Sequence, residues 1–207
     1  MNPFFLASLL AVGLYILKLK DQRRRVVLLA THLGHFQIEK LMETLTSGYL
    51  RALGELDLVR REQIWQLLST SESQLVEQFQ RFSADFAKLD AASVRVSLIP
   101  MALPFADRLF PSFTFDLRRA IAIHADGLAH ACRNDAQRIN RDKAFTVSAE
   151  LFLMQHTCHW FCRSKATASA RLLARHQTPY ALVVASVGEG TRRDYEALTR
   201  QASRNTA

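Results

Sequence analysis

The chain has 207 residues with 49 % hydrophobic and 22 % charged side chains, enough for a real core and too apolar for a disordered chain. Its 27 Lys plus Arg against 19 Asp plus Glu leave a formal net charge of +8, which raises nucleic acid as a partner. The distribution argues against it: residues 18–25 carry +4, residues 26–162 carry −1 and residues 163–207 carry +5, so the basic excess sits at two ends and not on one folded face.

The chain opens with Pro3 to Leu17, a run with no charged side chain that is apolar on every side of a helix wheel. Lys18, Lys20, Arg23, Arg24 and Arg25 follow at once. The pattern predicts a single transmembrane helix over residues 1–20, with those five cations as a membrane-surface collar. Fifteen residues span about 22 Å against a hydrocarbon core of about 30 Å, a gap that snorkelling lysines narrow. A cleaved signal peptide fits less well, because the basic cluster lies after the apolar run and no small-x-small cleavage site precedes it. The positive-inside rule then places the protein in the cell inner membrane as a single-pass chain, amino terminus outside and the remainder in the cytoplasm, with the lipid bilayer as one partner.

Glycine is scarce, at 7, and three of the 5 prolines fall at Pro100, Pro104 and Pro111. Long breaker-free stretches predict an all-α fold, a multi-helix bundle behind the anchor. The first helical layer covers residues 21–97. Within it Val26, Val27, Ala30, Leu33, Ile38, Leu41, Leu45, Tyr49 and Ala52 form one apolar face of a helix running from Asp21 to Leu53, and Asp57 to Leu68 forms a shorter helix. Ser71 with Gln74 reads as a capping box opening a third, whose Leu75, Phe79, Phe82, Phe86 and Leu89 recur at steps of 4, 3, 4 and 3. Residues 98–115 form a Pro/Phe-rich connector, either plugging a groove between helical layers or presenting an aromatic surface to lipid or a partner. The second layer, 116–178, holds helices at about Thr114–Asn134, Gln137–Ser164 and Ala166–His176. The basic carboxyl-terminal segment, 179–207, contains the one candidate strand, Tyr180–Val187, and a Gly188-Glu189-Gly190 turn that lacks the glycine spacing and lysine of a P-loop.

Two clusters carry possible ligands. His32, His35 and Glu39 share an arc of the first long helix, where they serve as metal ligands or simply as its solvated side. His156, His159 and Cys162, with Cys158, fall at i, i+3 and i, i+4 spacings, matching plain core packing in an apolar helix, a metal or b-type haem site, or a reactive thiol. This second spacing is no zinc-finger or c-type haem signature. Cys132, Cys158 and Cys162 are odd in number and imply no disulfide framework. His124, Asp126 and His130 lie close in sequence, but no nucleophile with an oriented base can be assigned, and no G-x-S-x-G or H-E-x-x-H occurs. The functional expectation is a membrane-anchored adaptor or assembly subunit, partnered by other proteins of a membrane complex, with no cofactor; the alternative is a membrane-tethered metal or haem protein using His156, His159 and Cys162.

Overall fold

A computed structural model of the chain describes the backbone of residues 3–204 and the side chains of residues 4–200. Nine α-helices among the described residues confirm an all-helical bundle. They are α1 (Pro3–Leu33), α2 (Ile38–Gly54), α3 (Leu58–Phe86), α4 (Ala106–Leu109), α5 (Leu117–Arg133), α6 (Asn140–Cys162), α7 (Lys165–His176), α8 (Tyr180–Ser186) and α9 (Glu189–Arg204). Two three-residue strands, β1 (Arg95–Ser97) and β2 (Thr114–Asp116), pair antiparallel with Val96 opposite Phe115 and close the ends of the connector.

The core lies where α3 packs between α2 and α5, and continues through α5 onto α6. The 4-3-4 repeat of α3 is the reason: Leu75, Phe79, Phe82 and Phe86 are all buried, as are Ile38, Leu41, Leu45, Tyr49 and Ala52 of α2. Phe79, Phe82 and Phe86 stack in sequence at centroid distances of 5.7 and 5.4 Å, and Phe36 meets Phe82 edge-on at 5.8 Å. A second cluster, Leu153 with Leu172, Val183, Val184, Val187 and Tyr195, seats α7, α8 and α9 on α6.

The structure redraws three predicted boundaries. The helix expected from Asp21 to Leu53 breaks at residues 34–37, where Gly34 sits so close to the Ala30 carbonyl oxygen that a Cβ would lie 2.9 Å from it. The helix stops there, so α1 and α2 are separate elements. Beyond the break, the Asp57 carboxylate accepts from the backbone N–H groups of Val59 and Arg60, and α3 then runs unbroken through Ser71, which is not a cap but a mid-helix residue. The segment expected as a strand is a helix over Tyr180–Ser186: Pro179 fixes its entry, Val183 and Val184 are buried on it, and Val187 is the extended residue that ends it.

The larger correction concerns α1. Among the described residues no helix is long and apolar enough to cross a membrane. The transmembrane anchor over residues 1–20, and the single-pass inner-membrane placement with an external amino terminus that rested on it, are overturned. Lys18, Lys20 and Asp21 end the apolar run after about 22 Å. From Asp21 onward α1 belongs to the bundle, with Asp21, Gln22, Arg25 and Leu29 all buried.

Candidate functional site

The amino-terminal half of α1 has no counterpart in the rest of the fold. From Phe5 to Leu19, ten large apolar side chains, on all sides of the helix, are between 43 % and 63 % exposed. An exposed helix of a folded domain keeps one apolar stripe and turns it inward; this one has apolar side chains all round and turns none of them inward.

At the foot of this arm the predicted basic collar divides. Lys20 and Arg23 are exposed and Lys18 is half-buried. Arg25 is buried, and its guanidinium is the hub of an ionic clamp. It pairs with Asp107 of α4 at 2.6 Å and with Asp21 at 3.3 Å, and it donates to the carbonyl oxygens of Arg95 (3.0 Å) and Phe161 (3.4 Å). The Phe161 carbonyl is one of those left without an intrahelical partner at the end of α6, so Arg25 caps that helix. Its charged plane also lies 5.2 Å from the Phe161 ring. Arg24 is one-third exposed and pairs with Asp21 at 3.2 Å and Asp107 at 3.9 Å. Arg25, and in part Arg24, are therefore committed to the interior.

The same clamp orders the proline-rich connector. Asp21 accepts a hydrogen bond from the backbone N–H of Phe105 at 3.3 Å, holding that residue at φ 51°, a left-handed conformation that a phenylalanine adopts only when its surroundings enforce it. The connector packs its ends onto the core and leaves Met101, Leu103, Leu109, Phe110 and Phe113 exposed. A separate groove of about 750 Å³ opens between the α2–α3 junction and the start of α6, lined by Leu53, Leu58, Trp65, Ile139 and Phe145.

Neither predicted ligand cluster assembles; among the described residues no three His, Cys, Asp or Glu side chains come together to hold a metal ion. His32, His35 and Glu39 were placed on one helix wheel, but the break puts His32 on α1, His35 in the turn and Glu39 on α2. His32 meets Phe86 edge-on at 6.1 Å, while His35 and Glu39 are exposed. In α6, His156 and Cys162 are six residues apart, about 120° around the wheel, and face different neighbours. His156 bonds Ser169 of α7 through Nε2 at 3.0 Å and stacks on Tyr180 at 4.4 Å. Burial, then Lys165, push its pKa down to about 3. His159 is half-buried and is lowered to about 4 by burial and by Arg171 and Arg175. Cys162 lies toward Arg25 with its thiol raised to about 11 by burial, and the Cys158 thiol, raised to about 12, lies 3.9 Å from the Met154 sulfur. Both are protonated, inert core thiols.

Of the polar groups that the structure does bring together, the sequence pointed only to His124, and there beside Asp126 and His130, not beside its actual partners. His124 of α5 shares a 2.9 Å hydrogen bond with Thr157 of α6, whose hydroxyl also bonds Tyr195 of α9 at 3.1 Å. This buried chain joins three helices, and desolvation pushes His124 down to about 3, so the imidazole is neutral. One turn-pair earlier on the same face of α6, Glu150 accepts a 2.9 Å hydrogen bond from the Gly188 N–H just before α9. Burial lifts this carboxyl to about 7, against the opposing pull of the Gly188 N–H. Its other oxygen and the Thr191 hydroxyl crowd against Gly127, where a Cβ would come within 2.8 and 2.1 Å of them. The available signal was Glu150, a carboxylate within the mainly apolar run Ala149–Met154 of α6, opposite a glycine in the interior of α5.

Comparison of the sequence with protein-family models and with curated proteins, and of the fold with solved structures, gives no match.

Proposed function

We propose that this chain is a helical adaptor, an assembly subunit that docks on other proteins through the apolar arm of α1. The observation that supports the reading is the arm itself: ten exposed large apolar side chains on one continuous helix, which the bundle leaves uncovered. A surface of that kind is stable in water only when another surface closes over it. The partner that fits is a protein groove lined by apolar side chains and rimmed by carboxylates, the latter facing Lys18, Lys20 and Arg23 at the foot of the arm. The ionic clamp of Asp21, Arg25 and Asp107 supplies a rigid base, so the helix is presented in one direction and little ordering entropy is lost on docking. The groove by Leu53, Trp65 and Phe145 offers a second docking face, as an adaptor requires. The catalytic alternatives have less support, because buried polar groups such as His124 with Thr157 and Glu150 with Gly188 are engaged in contacts between helices.

A photoactivatable side chain at Leu9 or Leu14 tests this, with one at the equally exposed Leu182 of α8 as the control. Irradiation in living cells is expected to give protein adducts from the two arm positions and none from Leu182. Adducts with lipid alone, or the same adducts from all three positions, would overturn the reading.

A further inference from the structure

The stretch from residue 151 to residue 188 contains no Asp or Glu, yet carries Arg163, Lys165, Arg171 and Arg175. Two of these cations are occupied: Arg163 hydrogen-bonds Gln22 of α1, and Lys165 lies 5.0 Å from the rings of both Trp160 and Tyr180. Arg171 and Arg175 are not. They stand one turn apart on α7, and neither has a hydrogen bond or ion pair among the described residues. Both line a cavity of about 270 Å³ between α6 and α7, together with Gln155, His156, His159 and Leu172.

The wall opposite the arginines is polar and incompletely bonded. His156 is 1 % exposed and uses only Nε2; its Nδ1 is buried without a partner. Gln155 accepts from His176 through its carbonyl oxygen at 3.1 Å, which leaves its amide NH2 as a donor. His159 registers the uncompensated field, since Arg171 and Arg175 help hold its imidazole neutral. Leu172, buried at the floor, adds an apolar surface.

We propose that this cavity binds a small phosphate-bearing molecule. Two guanidinium forks on one helix face suit the tetrahedral oxygens of a dianion, and an amide NH2 and a neutral imidazole add hydrogen-bonding groups on the α6 side. The volume lies at the small end of ligand pockets, room for a phosphate and a compact substituent against Leu172 but not for a nucleotide. The site is independent of the docking arm and stands or falls separately from it.

Calorimetric titration of the full-length chain with phenyl phosphate and with inorganic phosphate, at fixed ionic strength, tests the assignment. Saturable one-to-one binding is expected, weakened at least about tenfold in the Arg171→Ala, Arg175→Ala double variant. The replaced side chains are exposed, so the variant keeps its fold and its circular dichroism checks this. The Arg171→Lys, Arg175→Lys variant, which keeps charge but loses the forks, is expected to fall between the two. Tighter binding of phenyl phosphate assigns an ester, and equal affinities assign the free ion, either of which supports the site. Absence of saturable binding, or binding undiminished in the alanine variant, would overturn it.

Discussion

Glu150 makes the stability of this protein depend on pH in a direction opposite to that of ordinary paired carboxylates. It is 2 % exposed, and burial raises its pKa from 4.5 to about 7. The folded protein therefore holds a proton that the unfolded chain releases between those values. The stabilisation is complete below pH 4.5 and is lost as pH rises through 7. At 1.36 kcal/mol per pH unit the full effect is about 3 kcal/mol, and between pH 5 and pH 8 about 2 to 3 kcal/mol of it is traversed. Glu150→Gln replaces the protonated acid by a neutral isostere that still accepts from the Gly188 N–H and offers an amide toward Thr191. Urea unfolding of both proteins at half-unit steps from pH 5 to pH 8 gives the difference curve in which every other titration cancels. The wild type should lose about 2 to 3 kcal/mol relative to the variant over that range. His130 and Arg138 face the same carboxyl and draw its pKa down, so the measured loss should grow when Arg138 is replaced by Gln. Parallel stability curves for wild type and Glu150→Gln would refute the argument that desolvation dominates this site.

Arg25→Ala leaves the Asp21 and Asp107 carboxylates buried without their shared cation and uncaps α6; the expected cost is about 3–5 kcal/mol, read from chemical denaturation. A cost below 1 kcal/mol would mean that the clamp is solvated. Gly127→Ala drives a methyl into the Thr191 hydroxyl and Glu150, backed by α9, and should destabilise by about 1–3 kcal/mol, with protection of α9 in hydrogen exchange lost first. His124 is buried neutral with its pKa pushed down to about 3, so its contribution is complete above pH 6.5 and disappears as pH falls. In a Glu150→Gln background, adding His124→Gln should flatten about 2 to 3 kcal/mol of acid destabilisation between pH 6.5 and pH 4.5, measured by urea unfolding.

The elements that were legible in the sequence are those whose apolar residues repeat at helical spacing with one face turned inward. The Leu75, Phe79, Phe82, Phe86 seam and the α2 face from Ile38 to Ala52 were read from spacing alone and are buried as read. The break at residues 34–37 was not legible, because Phe36 and Ile38 continue the apolar period across it and a single glycine marks the turn. Val26 and Val27 were assigned inward by the same continued period and are exposed instead, since α1 follows its own axis. Tyr180–Val187 was ambiguous for a general reason: a short β-branched run fits a strand or a buried helix equally well, and length alone does not choose between them.

Arg25 is buried although its sequence position is that of a surface cation. A basic residue beside an apolar run looks like a headgroup ligand, and nothing local distinguishes it from a buried clamp. Its partner Asp107 lies more than 80 positions away, in a connector whose prolines conceal any periodicity. The His156, His159, Cys162 spacing failed in a related way, as i, i+3 steps accumulate around a helix and two such steps already point to different neighbours. Paired long-range polar contacts such as His124 with Thr157 leave no local trace, because each residue has other polar residues beside it in sequence and its partner lies 33 positions away.

Native mass spectrometry of the protein gently extracted from its own cells tests the adaptor account most directly, comparing wild type with a Leu10→Glu, Leu14→Glu variant altered only on the exposed arm. The account predicts additional protein subunits on the wild type and a lone, folded chain for the variant. A wild-type chain that emerges without any protein partner, or partners that persist on the variant, would contradict it.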